Sequence, residues 1–193
     1  MSDTNARILA FAGSTRVHSF NKKLAAAAAK GAEAAGAKVT LIDLREYPLP
    51  LFDQDLEAAE GLPENAVSLR ELFLSHNALL IACPEYNGSL PAVLKNAIDW
   101  VSRRQEGEPP LACFKDKIAL LLATSPGALG GLRALRHLQT VLMGMQVVVL
   151  PEQKAIPKAG EVFNDEGIAD DKIRAEVERL GARLAEMAGL FHA

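Results

Sequence analysis

Five short apolar segments, each followed by a longer segment with helical periodicity, constrain the fold of this chain more than any other feature. Segments of five to seven apolar residues are typical of strands that are buried on both faces. Parallel strands joined through helices form a sheet with helices on both sides. We therefore predict an α/β domain with an open parallel sheet. The strands are predicted at residues 7–12, 38–43, 78–83, 117–123 and 146–150.

The segments between these strands predict amphipathic helices. In the last segment, Ile173, Val177 and Leu180 recur four and three residues apart, which places them on one helix face. Gly36 follows an alanine-rich segment at the position of a C-terminal cap glycine. Pro91 is expected in the first turn of a helix. Helices are predicted at residues 20–35, 67–76, 91–101, 132–142 and 173–187, and irregular excursions at residues 47–64 and 151–170.

Length and composition exclude several classes of protein. The 193 residues fit one domain, residues 1–193, and 49% hydrophobic residues are enough for a substantial core. A net charge of −3 with ten aromatic residues does not favour a nucleic-acid partner. The apolar runs are too short to span a membrane, and the N-terminus does not read as a secretory signal. We expect a cytoplasmic protein.

The cysteines and histidines do not indicate a metal or disulfide site. Cys83 and Cys113 are too far apart in sequence for a CxxC motif, and the four histidines are scattered. Cys83 ends a buried strand and is expected to pack as a small hydrophobic residue. We expect no metal site.

Ligands of open α/β sheets bind beyond the carboxyl ends of the strands, so the loops after strands one, three and four are the candidate site. The first loop, GSTRVHSFN, runs from Gly13 to Asn21 and leads into a helix. Its hydroxyl groups, the Arg16 guanidinium and the helix N-terminus are suited to a phosphate. It is neither a Walker loop nor a GxGxxG motif. An ordinary hydroxyl-rich helix cap remains an open alternative.

The other two loops suit a flat heterocycle. In the second, PEYNGSLP from Pro84 to Pro91, an aromatic ring, an amide and a glycine stand together. Taken alone, it also fits a turn bracketed by prolines. The third loop, TSPGALGG from Thr124 to Gly131, has three glycines that permit close backbone approach. The three loops share one rim of the predicted sheet, which favours a common binding site.

These loops resemble the NADPH-dependent FMN reductases, flavodoxin-like proteins that include quinone, azo-compound and chromate reductases. The resemblance covers residues 7–150 and depends on GSTR with Ser19 and Asn21, on PEYNGS with KNAIDW, and on SPGALGG. It implies that one set of residues holds the FMN phosphate and a second set lines the isoalloxazine ring. The first set is Ser14, Arg16, Ser19 and Asn21, and the second is Pro84, Glu85, Tyr86, Asn87, Gly88, Ser125 and Gly127.

The resemblance also implies a fold and a reaction. The fold would be a flavodoxin-like three-layer sandwich with a five-stranded parallel sheet in the order 2-1-3-4-5. NADPH or NADH would reduce bound FMN, and a small-molecule acceptor such as a flavin or quinone would reoxidise it in a ping-pong mechanism. Because the flavin carries this chemistry, no catalytic side chain is expected. A homodimer or homotetramer is implied. The alternative is a flavodoxin-type electron carrier that binds FMN without its own NADPH turnover.

Overall fold

The central sheet has the predicted strand order. The structure, a computed structural model, describes residues 5–192; residues 1–4, which belong to the predicted domain and to the N-terminus considered above, and residue 193 lie outside the described residues. Strands pair in parallel in the order β2-β1-β3-β4-β5. The strands are β1 (Arg7–Ala12), β2 (Lys38–Asp43), β3 (Ala78–Ala82), β4 (Ile118–Thr124) and β5 (Val148–Val149).

The fifth strand position differs from the prediction. A strand was expected over residues 146–150, but only Val148–Val149 pairs with β4. The chain then leaves the sheet at Pro151, whose ring nitrogen cannot donate a ladder hydrogen bond. A further strand, β6 (Lys154–Ile156), rejoins β4 in parallel near its carboxyl end. The predicted excursion at 151–170 therefore contains a sheet strand.

Helices alternate with the strands as predicted, although several bounds differ. Pro91 precedes the helix after β3 instead of lying in its first turn, and residues 47–64 include a short helix that begins after Asp53. Within the described residues, no helix is both long and apolar enough to cross a membrane. The helices are α1 (Phe20–Ala34), α2 (Gln54–Glu60), α3 (Glu64–Ser75), α4 (Ala92–Val101), α5 (Leu132–Gly144), α6 (Ala159–Val162) and α7 (Asp171–Phe191). A 3-10 turn spans Leu44–Glu46, and β7 (Phe163–Asn164) pairs with β8 (Gly167–Ile168) in a small hairpin.

The end of α1 confirms the role expected of Gly36. Its φ of 91° is in the left-handed region that glycine tolerates. The Gly36 amide donates to the Glu33 carbonyl at 2.9 Å, and the Ala37 amide donates to the Ala32 carbonyl at 3.1 Å. These two bonds form a Schellman motif, which ends the helix and turns the chain into β2.

The core has one layer on each side of the sheet. Alternate residues of β1 point to opposite sides: Ile8 packs under α1 and α7, whereas Leu9 packs under α3, α4 and α5. Helices α1 and α7 also cross each other closely. A Cβ atom built on Gly31 would overlap the Glu178 carbonyl oxygen, and one built on Gly181 would overlap the Ala28 carbonyl oxygen. The small residues of α1 and α7 therefore allow the two helices to pack closely.

The proline-rich segment after β2 is held against α4. Asn96 accepts a hydrogen bond from the Phe52 amide at 2.8 Å and donates one to the Pro50 carbonyl at 2.8 Å. The buried Trp100 indole also donates to the Pro50 carbonyl, at 2.9 Å. Phe52 packs edge-on against the Trp100 ring, with centroids 5.0 Å apart. Asn96 and Trp100 of the KNAIDW sequence thus fix this segment.

Candidate functional site

The three loops selected from the sequence meet at the carboxyl end of the sheet. Because β1, β3 and β4 are neighbours, the loops that follow them share one rim. They enclose a cavity of about 70 Å³, roughly the volume of two liquid waters, which suits a small anion better than an aromatic ring. Asn87, Gly88 and Gly127 lie on the same loops but outside its lining. The cavity is lined by Ser14, Arg16, Ser19, Phe20, Asn21, Pro84, Glu85, Tyr86, Thr124, Ser125 and Pro126.

The N-terminus of α1 and the loop before it provide the donors on one side of this cavity. Ser14 and Ser19 are both buried, with 4% of their surface exposed. Ser19 is the N-cap residue, yet its side chain makes no cap hydrogen bond within the described chain, and the first turn of α1 has no acidic residue. Arg16 is exposed and forms no ion pair with any described residue. Hydroxyls, a free guanidinium and a helix N-terminus form a donor set that fits a phosphate.

The amide of Asn21 is already engaged within the protein. Its Nδ2 donates to the Thr124 carbonyl at 2.9 Å, and its Oδ1 accepts from the Thr124 amide at 3.0 Å. This buried pair joins the start of α1 to the end of β4, 103 residues along the chain. Asn21 therefore holds the first and third loops together.

The second loop contains a tight turn at its centre. The Tyr86 amide donates to the Ser89 carbonyl at 3.0 Å, and the Ser89 amide donates to the Tyr86 carbonyl at 3.1 Å. Between them, Asn87 and Gly88 have φ values of 51° and 80°, the positive values that a type I′ turn requires. Tyr86, at the start of this turn, is half exposed. The loop thus forms the turn that was given above as an alternative, and Tyr86 stands beside it at the rim.

The carboxylate of Glu85 faces helix α5. Its Oε2 accepts from the backbone amides of Arg133 at 3.1 Å and Ala134 at 3.3 Å, and its Oε1 accepts from the Arg133 guanidinium. Burial pushes the pKa of Glu85 upward, but the hydrogen bonds from Arg133 and Ala134 outweigh burial and hold the pKa below its usual value. Glu85 is therefore an ionised cap of α5 at neutral pH.

The three glycines of the third loop have different surroundings. A Cβ atom on Gly130 would come within 2.6 Å of the Ile156 backbone, and one on Gly131 within 2.7 Å of the Ala123 side chain. These two glycines allow the loop to pack against β6 and β4. A Cβ atom on Gly127 would approach only the Ser125 hydroxyl, at 3.8 Å. Gly127 thus has open space beside it, where a ligand can approach the backbone.

No reactive thiol or metal cluster accompanies the site. Burial raises the pKa of the Cys83 thiol to about 12, so Cys83 is not a thiolate at neutral pH. Cys113 is also buried, and burial raises the pKa of its thiol. Among residues 5–192, no group of three or more His, Cys, Asp or Glu side chains is placed to hold a metal ion.

Two wider cavities lie away from the three-loop cleft. A groove of about 590 Å³ runs between α1, α7 and the β7–β8 hairpin, and its lining mixes cations such as Lys30 with anions such as Glu178. An apolar cavity of about 290 Å³ lies between the segment after β2 and α4 and is also lined by Thr15 of the first loop. The groove contains no hydroxyl group of the first loop, and the apolar cavity contains only that of Thr15, without Ser14, Ser19 or Arg16. We therefore assign the site to the smaller cleft.

Sequence reasoning missed several residues that support the cleft. Arg133 binds Glu85, and His137 Nδ1 lies 3.0 Å from the Ser89 hydroxyl. Both belong to α5, outside the loops that the motifs indicated. Their spacing of four residues on a predicted helix was the available signal, since it places them on one face. The sequence alone does not show that this face meets the second loop.

Comparison with known proteins points to one family of enzymes. The NADPH-dependent FMN reductase family matches residues 6–161. An NAD(P)H-dependent FMN reductase of Pseudomonas aeruginosa is 36% identical over 181 residues, 93% of this chain and 92% of the relative. A quinone reductase of Escherichia coli is 35% identical over 173 residues, 85% of this chain and 88% of the relative.

Solved structures support the same fold. FerB, a flavoenzyme NAD(P)H:(acceptor) oxidoreductase from Paracoccus denitrificans, superposes with a TM-score of 0.78 at 28% identity, covering 95% of this chain and 97% of FerB. An archaeal flavodoxin superposes with a TM-score of 0.63 at 16% identity, covering 94% and 98% of the two chains, so the predicted flavodoxin-like fold is confirmed. With the family match extending over most of its length, this chain belongs to the NADPH-dependent FMN reductases.

Proposed function

We propose that the protein is an NAD(P)H-dependent flavin enzyme that reduces a small-molecule acceptor by a ping-pong mechanism. Membership of the family makes it an oxidoreductase with FMN as cofactor and NAD(P)H as co-substrate. The observation that carries the proposal is the convergence of three loops on one cleft, one end of which holds the Ser14 and Ser19 hydroxyls, the Arg16 guanidinium and the N-terminus of α1. FMN, when bound, supplies the redox chemistry by accepting a hydride and passing electrons to the acceptor.

The deep end of the cleft would hold the phosphate. Ser14 and Ser19 offer hydroxyl groups beside the α1 N-terminus, and Arg16 offers a charged fork. A bound phosphate would accept hydrogen bonds from these hydroxyls and from the N-terminus of α1, which has no side-chain cap. We propose that Asn21 contributes indirectly, by holding the Thr124 backbone in place.

The open end of the cleft would hold the flavin ring. We propose that Tyr86 covers part of the ring, and that the backbone of Pro84, Asn87 and Gly88 borders its edge. Ser125 and Gly127 would border the opposite side, where Gly127 leaves room for the backbone to approach a ligand. Backbone amides near the ring edge stabilise negative charge without a titrating side chain. Glu85 would contribute its backbone, because its carboxylate is bound to α5.

The names of the relatives indicate the class of acceptor. One relative is an FMN reductase and another is a quinone reductase, so we propose a flavin or a quinone as acceptor for this chain. Both acceptors are flat rings that can stack on a flavin face. Cytoplasm is the proposed compartment, since Cys83 and Cys113 are both free thiols.

The proposal is tested by adding NADPH to the protein loaded with FMN in the absence of oxygen. We expect the flavin absorbance near its visible maximum to bleach, and to return when a quinone is added. Initial rates at several quinone concentrations should give parallel double-reciprocal lines, as a ping-pong mechanism requires. Flavin that binds but stays oxidised under NADPH would instead support an electron carrier. Failure to bind FMN would refute both functions.

We also propose that the protein forms a homo-oligomer through the segment after β2. Leu51 is 79% exposed, although its neighbours Pro50 and Phe52 are both fixed to α4 by hydrogen bonds. A large apolar side chain presented on a fixed segment is typical of an interface. The apolar cavity lined by Tyr47 and Leu49 lies on the same surface, which suits a two-fold interface in which each Leu51 meets the other subunit.

Leu51→Asp is expected to dissociate this oligomer. A charge buried at an apolar contact costs several kcal/mol, so the variant should elute as a monomer at micromolar concentration. Light scattering coupled to size-exclusion chromatography measures the mass. Leu190→Asp is the matched control, because Leu190 is 73% exposed near the end of α7, and it should keep the parent mass. A monomeric parent, or a Leu51→Asp variant with the parent mass, would refute this interface.

A further inference from the structure

Helix α5 begins without a capping side chain of its own, and Glu85 of the second loop takes that place. Gly131 is the N-cap residue and has no side chain to accept a hydrogen bond. Oε2 of Glu85 instead accepts from the Arg133 and Ala134 amides, and only 9% of the Glu85 side chain is exposed. A carboxylate at this helix end satisfies two amides and interacts favourably with the helix dipole. The loop that would border the flavin ring is thus anchored to α5.

Two further contacts hold the other end of the same loop. The guanidinium of Arg133 binds Oε1 of Glu85 and also lies beside Gly88, about 3.8 Å from where a Cβ atom would stand. His137, one helical turn further along α5, lies with Nδ1 3.0 Å from the Ser89 hydroxyl. Residues four apart share a helix face, so one face of α5 contacts Glu85, just before the turn, and Gly88 and Ser89 at its end.

Asn87 and Gly88 suit the positive φ values of this turn, so the local sequence favours its shape. The contacts with α5 fix where the turn lies relative to the rest of the cleft. The turn also determines where the Tyr86 ring and the amides of Asn87 and Gly88 stand relative to a bound ligand. A displacement of about 1 Å at a reacting centre can lower a rate by roughly 100-fold.

We propose that Glu85 and Arg133, supported by His137, are positioning residues that fix the Tyr86–Ser89 turn against the flavin ring. The inference depends on the proposed function, because it concerns how the ring end of the cleft is held. It gives the Glu85 side chain a role other than direct contact with the flavin. It also adds Arg133 and His137 to the residues on which reduction depends, although neither lies in the three loops.

Glu85 stabilises the turn mainly through its hydrogen bonds with the α5 amides, and less through its ion pair with Arg133. The Arg133 side chain is 59% exposed, so its ion pair with Glu85 is screened by water and weak. Ala134 is a buried residue, so removing the carboxylate leaves its amide without a partner. Loss of the Glu85 carboxylate should therefore loosen the turn more than loss of the Arg133 guanidinium does.

Glu85→Ala and Arg133→Met test the proposal in protein loaded with FMN, with Arg136→Met as the matched control. Arg136 lies on α5, bonds only to Gln139 at 3.2 Å among the described residues, and has the same charge as Arg133. Three quantities are measured: the dissociation constant of FMN, the visible circular dichroism of bound flavin, and the reduction rate at saturating NADPH.

We expect the FMN dissociation constant to change less than threefold, because the phosphate end of the cleft is untouched. The reduction rate should fall roughly tenfold in Glu85→Ala and less in Arg133→Met. The circular dichroism bands of the flavin should shift in the same order, since they report the asymmetry of the ring environment. Glu85→Gln, which keeps one acceptor oxygen, should recover part of the rate. The Arg136→Met variant should match the parent.

Other outcomes separate this inference from the proposed function. If both variants show the parent rate and flavin spectrum and differ only in thermal stability, the contact is a structural cap and the inference is wrong. If the parent enzyme binds FMN but NADPH does not reduce it, the proposed function fails. The circular dichroism of the bound flavin still decides the positioning role in that case. If the parent does not bind FMN, both are refuted.

Discussion

Gly181→Ala is expected to destabilise the protein by roughly 3 kcal/mol or more, although alanine is the better helix former by about 1 kcal/mol. The added methyl group would overlap the Ala28 carbonyl oxygen of α1. Because the obstacle is backbone and not a flexible side chain, the two helices would have to separate. Separation would open the core layer under α1 and α7, which includes Leu24 and Leu184.

Urea unfolding followed by far-ultraviolet circular dichroism measures this effect. The midpoint should fall while the slope with denaturant stays the same, which would show a change in stability and not in the surface exposed. Gly144→Ala is the control, because Gly144 ends α5 and has open space where its Cβ atom would stand. It should change stability by less than about 1 kcal/mol. A Gly181→Ala protein as stable as the parent would contradict the close crossing.

Strands and helices that depend only on neighbouring residues in the chain were predictable from the sequence. β1 and β2 have the predicted bounds, because each has a central segment of apolar and β-branched residues with a turn or cap at its end. The fifth strand was predicted too long, because its extent depends on pairing with β4, and pairing is not encoded in the apolar residues themselves. The helix after Asp53 was missed because its seven residues lie in a stretch that is rich in proline.

In the candidate site, too, the sequence predicted which residue types are present but not which partners they contact. Loop positions were predictable, since the carboxyl ends of adjacent parallel strands share one rim. The direction of each polar side chain was not. Asn21 and Glu85 have the residue types of ligands, yet Asn21 bonds to Thr124 and Glu85 to α5, both far away along the chain. The assignment of both residues to the FMN site stays a prediction. For Glu85 it concerns the backbone, and for Asn21 it concerns holding the loops in position.

Arg16 is the residue on which the phosphate assignment depends most. It is exposed, lines the deep cavity beside Ser14 and Ser19, and has no anionic partner among the described residues. A guanidinium at the N-terminus of a helix adds a full charge to the partial charge of the helix dipole. An anion placed there would interact with both, which is why Arg16 should contribute to binding and very little to folding.

Arg16→Ala is expected to raise the dissociation constant of FMN by roughly 10- to 100-fold, since a hydrogen bond to a charged group contributes about 1.5–3 kcal/mol. The affinity for riboflavin, which has the same ring but no phosphate, should change less than threefold. Quenching of flavin fluorescence measures both constants. The stability of the apoprotein should stay within about 0.5 kcal/mol of the parent, because the side chain is exposed.

Arg136→Ala removes the same charge from an exposed position on α5 and is the matched control. It should leave both constants unchanged, so a loss of affinity in Arg16→Ala cannot be ascribed to net charge. The FMN affinity of the parent should also weaken as salt is added, and this dependence should be smaller in Arg16→Ala. Equal losses for FMN and riboflavin would place Arg16 at the ring and not at the phosphate. An unchanged FMN constant would mean that the phosphate lies elsewhere, because a guanidinium in contact with a phosphate cannot be removed without loss of affinity.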